Sequence, residues 1–63
     1  MMKMYGKLRT VREENNMPQW KVAKFIGINK QTYHLKETGQ SDFTIPDAKR
    51  LTKVFGCTLN DLF

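Results

Sequence analysis

The chain has 63 residues, with eleven Lys or Arg against six Asp or Glu, a formal net charge of +5 at pH 7, one cysteine and one histidine. That length allows a single small domain over residues 1–63, of a size that buries only about 60% of its unfolded surface. Cys57 alone excludes an intramolecular disulfide framework, and Cys57 with His34 cannot assemble a structural zinc site.

No repeat, low-complexity run or linker interrupts the sequence, and its spacing predicts one compact all-α unit of about five helices. The first runs from Lys3 to Asn15, with Met4, Leu8 and Val11 at helical spacing, and ends at Asn15-Asn16. Pro18 takes the first position of the second, over Pro18–Ile26, where a missing N–H costs little. Val22, Ala23 and Ile26 give that helix an apolar face, and Gly27 permits a turn that a β-carbon would resist. Asn29 suits the N-cap of a third helix over Lys30–Thr38, and Gly39 suits its end. A small residue at Ala23 lets the two helix axes approach steeply, so Gln19 to Gly39 reads as a helix-turn-helix able to place its second helix in the DNA major groove.

Thr44-Ile45-Pro46-Asp47 has the form of a helix start, with a threonine cap, an early proline and an acid three residues on. Ala48, Leu51, Thr52 and Phe55 then fall within an arc of about 100°, with Lys49, Arg50 and Lys53 on the other side. Gly56 stops this fourth helix, and Thr58 caps a last short one in which Leu59, Leu62 and Phe63 share a face. No period-2 run persists, so no strand is predicted.

The charge is uneven. Residues 1–36 hold eight Lys or Arg against Glu13 and Glu14, and residues 37–63 hold three against four acids. A basic half beside a near-neutral one suits a polyanion partner, although a solvated lysine-rich surface has the same composition. On the third helix Lys30, His34, Thr38, Gln31 and Leu35 fall within one arc of about 140°, with Tyr33 and Lys36 opposite. Gln31 can pair with adenine N6 and N7, Lys30 can donate to guanine O6 and N7, and Leu35 can pack on a thymine methyl. His34 can meet a base or a phosphate. Gln19, at the amino end of the second helix, is the leading phosphate contact, and Asn29 can add one besides capping. Arg9 and Lys24 are further candidates, along with Lys7 and Lys21. Glu37 lies between the outward and inward faces and needs a partner, for which Arg12 is predicted as the other half of an ion pair.

In Leu8 and Arg12, Gln19, Val22-Ala23 with Ile26-Gly27-Ile28, Thr32-Tyr33, Glu37-x-Gly39, Leu51-x-x-Val54-Phe55-Gly56 and Thr58-Leu59-x-x-Leu62, the chain resembles the Cro/C1-type, lambda-repressor-like (XRE) helix-turn-helix family over nearly its whole length. The resemblance implies a five-helix DNA-binding domain that binds a double-stranded operator, usually as a homodimer, in phage or prokaryotic transcriptional control. It places base readout on Lys30, Gln31 and Leu35 and phosphate contact on Gln19 and Asn29, and it supports the Arg12–Glu37 pair as a brace.

Three features depart from that pattern. Lys36 stands where the family has an apolar core residue, so either its stem covers the core while its ammonium reaches solvent, or the helix is rotated. Trp20 replaces a polar residue, with a role on the DNA backbone, on a protein partner or in packing. The loop from Thr38 to Phe43 carries Asp42 and no cation.

The sequence therefore predicts a Cro-like stand-alone DNA-binding regulator rather than a full-length repressor, with a DNA-binding domain cut from a longer chain as the other reading. It is expected to be cytoplasmic, since MMKMYGK lacks the apolar run of a signal peptide, with no cofactor, metal, membrane partner or small-molecule effector. It is not expected to be an enzyme, for want of paired carboxylates, a nucleophile–base set or a phosphate loop. Cys57 reads as a small core residue. Leu62 is expected to point inward while Leu59 and Phe63 form a weak dimer contact. The alternative is a protein-interaction module on the same fold, antitoxin-like or an anti-repressor partner, using Trp20, Phe25 and Phe43 if they form one patch.

Overall fold

The computed structural model describes residues 5–63 and contains five helices in the order α1 (Gly6–Glu14), α2 (Gln19–Ile26), α3 (Lys30–Glu37), α4 (Ile45–Phe55) and α5 (Leu59–Leu62), with no strand among the described residues. The first part of the predicted helix, including Lys3 and Met4, lies outside those residues.

The helix boundaries follow from local chemistry. Tyr5 precedes α1 and donates its backbone N–H to the Glu37 carbonyl at 3.1 Å, which ties the start of α1 to the end of α3. Asn15 closes α1, and Asn16 turns the chain with φ at 55°, a left-handed value that asparagine tolerates better than most residues. Pro18 occupies the N-cap of α2 in extended backbone, one position earlier than predicted. Gly27 ends α2 at φ 79°, and the N–H of Ile28 returns to the Ala23 carbonyl at 3.0 Å. Asn29 caps α3 by accepting the Thr32 N–H at 2.7 Å. Thr44 and Asp47 exchange hydrogen bonds as a capping box on α4, and Gly56 ends that helix at φ 63°.

The core is Leu8, Val22, Ala23, Ile26, Tyr33, Leu51 and Leu62, all buried, so every helix contributes at least one residue. The α2 helix packs on both α3 and α4, while α1 packs on α5 and α3. At one end Tyr5, Tyr33, Phe43 and Phe63 meet edge-to-face, with centroid separations of 5.2 to 5.9 Å. Phe43 thus belongs to an aromatic cluster packed against the core and does not join Trp20 and Phe25 in one exposed patch.

Lys36 follows neither sequence alternative. Its ammonium is paired with the Asp47 carboxylate, with both side chains largely buried, and lies 5.9 Å from the Phe43 ring centroid. Burial alone would raise the Asp47 carboxyl, but hydrogen bonds from Lys36 and Thr44 outweigh it and hold the group below the ordinary aspartate value. The acid that starts α4 is therefore also the counter-ion of the one cation on the inward side of α3.

Candidate nucleic-acid interface

The side chains that support α3 are joined in one chain of hydrogen bonds. Arg12, from α1, donates through Nε and Nη2 to the two carboxylate oxygens of Glu37 at 2.9 and 3.0 Å, and through Nη1 to the Met17 carbonyl at 2.9 Å. The pair is well shielded, at 11% and 4% side-chain exposure. Burial would raise the Glu37 carboxyl, yet the hydrogen bonds from Arg12, joined by one from Gln19, hold it below the ordinary glutamate value. The same bond raises the guanidinium further. Beside them the buried Tyr33 hydroxyl has no hydrogen-bond partner among the described residues. Burial, and then the nearby Glu37 carboxylate, still push that phenol above its ordinary range.

Gln19, the first residue of α2, reaches across this brace. Its Nε2 donates to Glu37 Oε1 at 3.2 Å, and its Oε1 lies 3.2 Å from Nδ1 of His34. One amide N–H remains for an outside acceptor, since the NH₂ group carries two donors. Gln19 is thus mainly an internal strut between α2 and α3, a role the sequence did not reveal. The signal available was the i, i+3 spacing of His34 and Glu37 on one helix, which lets a single residue of α2 reach both.

Lys30, Gln31 and His34 are exposed, and with Gln19 they line a shallow depression on the outer side of α3. A second notch, of about 220 Å³, continues from His34 and Thr38 past Gln19 to Arg9, Arg12 and Tyr5. Leu35 is half-buried rather than fully exposed, because it sits at the margin of the outward arc. Lys24 is exposed on α2. Arg9 is also exposed but holds Glu13 at 3.0 Å one turn along α1, and Lys7 donates to the Asn60 carbonyl at 3.2 Å. Asn29 has its side-chain oxygen committed to capping. In the loop after α3, Asp42 accepts a hydrogen bond from the Tyr5 hydroxyl at 3.2 Å.

At the far end of the chain Leu62 is buried while Leu59 and Phe63 stay 49% and 38% exposed. The exposed Ile45 lines the same depression as Phe63, a neighbour that sequence reading missed because Ile45 is only the first residue of α4. Cys57 is a free, half-buried cysteine packed against the core, and burial followed by the Asp61 charge raises its thiol. No helix among the described residues is long and apolar enough to cross a membrane.

Residues 8–62 match the helix-turn-helix family. An uncharacterized HTH-type transcriptional regulator of Methanocaldococcus jannaschii is 33% identical over 60 residues, covering 95% of this chain and 91% of the relative. No solved structure gives a significant match. These matches support a DNA-binding transcription regulator, and on the family match and the five-helix fold the chain belongs to the helix-turn-helix family.

Proposed function

We propose that this chain is a Cro/repressor-like regulator that binds double-stranded DNA in a sequence-specific way. It inserts α3 into the major groove of operator half-sites as a weak homodimer in the cytoplasm, without a cofactor or small-molecule effector. The observation that carries this reading is the exposed polar face of Lys30, Gln31 and His34 on a helix held in place by a shielded bidentate ion pair. Lys30, Gln31, His34 and Leu35 read bases. The free N–H of Gln19, with Lys24, Arg9 and the backbone at Asn29, meets phosphates. Leu59 and Phe63, joined by Ile45, form the subunit contact. This apolar surface is small, so pairing is strengthened by DNA, with half-sites about one helical turn (~34 Å) apart.

A second reading rests on one other feature. Phe25 is 60% exposed and lines an open groove with Met17 and Val54, flanked by Lys21 and Lys53, which suits an acidic apolar protein segment. Salt separates the two readings. Titration of a labelled duplex pool between about 50 and 200 mM salt should weaken binding by roughly a thousandfold if some six phosphates are neutralised. An affinity for DNA that is negligible even at low salt would remove the regulator reading in favour of a protein partner at the Phe25 groove.

A further inference from the structure

The proton positions along the brace follow from charge alone. Arg12 is always protonated and holds Glu37 as an ionised carboxylate, which only accepts hydrogen bonds. The Gln19 amide therefore turns its NH₂ end to Glu37, which leaves its carbonyl oxygen facing Nδ1 of His34. A carbonyl oxygen also only accepts, so Nδ1 carries the proton. Neutral imidazole has one N–H, and Nε2 is left with a lone pair on the ring edge turned away from Gln19. That ring is exposed beside Lys30 and Gln31.

We propose that Gln19 locks His34 in the Nδ1–H tautomer, so that Nε2 acts as a hydrogen-bond acceptor reading an exocyclic amine, adenine N6 or cytosine N4, in the major groove. Guanine, which offers only N7 and O6 acceptors on that edge, is rejected at the same position, and a phosphate contact through neutral Nε2 is excluded for the same reason. His34 is then a specificity-determining residue and Gln19 its positioning residue. The inference rests on the α3 reading given under Proposed function, and its first half is testable without DNA.

His34 is the only histidine in the sequence, so long-range ¹H–¹⁵N correlation on the full chain at about pH 8 assigns its tautomer directly. The expected result is a proton on Nδ1, with a mixture of tautomers in Gln19→Met. Site selection from random duplexes should then show adenine or cytosine at a position that His34→Ala alone relaxes. Gln19→Met should admit guanine there, reducing a discrimination of about tenfold to threefold or less. A proton on Nε2 in the wild-type chain overturns the tautomer lock, and guanine at the His34-dependent position, or no such position, overturns the base assignment. If the wild-type chain enriches no sequence at all, the base assignment falls together with the regulator reading. An intact Nδ1–H signal in that case shows that the lock itself was right.

Discussion

Replacing Glu37 by glutamine keeps the shape of the side chain and removes its charge from the centre of the brace. The carboxylate accepts two hydrogen bonds from Arg12 and one from Gln19. An amide retains one acceptor oxygen and turns an NH₂ group towards donors. Arg12, 11% exposed, is left as a poorly solvated cation. Removing one partner of a fully buried pair costs about 3–5 kcal/mol, and the slight exposure of Arg12 puts this case near the lower end, about 3 kcal/mol. In a domain this small that corresponds to a fall in Tm of about 12–24 °C. Thermal melts by circular dichroism at neutral pH measure it. The difference between the two proteins should also shrink in acid. The Glu37 carboxyl is held below its ordinary value in the fold, so the unfolded chain takes up its proton first. The stabilisation is complete above the ordinary carboxylate range and is lost as pH falls through the folded value. A fall in Tm of under about 4 °C at neutral pH would equate the pair with a surface salt bridge and refute the argument.

Asp47→Asn should destabilise by about 2–4 kcal/mol in urea titration, because it weakens the α4 cap and leaves Lys36 buried without its counter-ion. Adding Lys36→Met should recover part of that loss, and a double variant no better than the single one would show that the ammonium finds water unaided. Gly27→Ala should cost about 1–2 kcal/mol from its φ of 79° alone, since nothing lies within 4 Å of the added carbon. Gln31→Ala should weaken binding to the preferred duplex by about 1–3 kcal/mol and relax one base pair. An equal loss on every sequence would make Gln31 a backbone contact.

The helix order was legible because its punctuation is local. Gly27 and Gly56 take the left-handed backbone their positions demand, and Asn29 and the Thr44–Asp47 pair bond within three residues of themselves. Arg12 and Glu37 were readable from the need of an acid placed between two faces, even at a separation of 25 residues. The partner of Lys36 was not, because helical periodicity reports that a cation points inward but not which acid the packing of α3 near α4 brings to it. Gln19 shows the same limit. A polar residue at a helix start suggests an outside anion, and only the crossing of α2 and α3 reveals that Glu37 and His34 lie within its reach. Phe43 looked available as one of three aromatics in an exposed patch, but Tyr5, Tyr33 and Phe63, distant in sequence, surround it.

The most direct test of a sequence-specific regulator is selection of binding sites from a random duplex library at about 150 mM salt, where weak non-specific binding is suppressed. The expected product is a pair of inverted half-sites about one helical turn apart, with bases that respond individually to changes at Lys30, Gln31 and His34. Recovery of no enriched sequence would contradict the account.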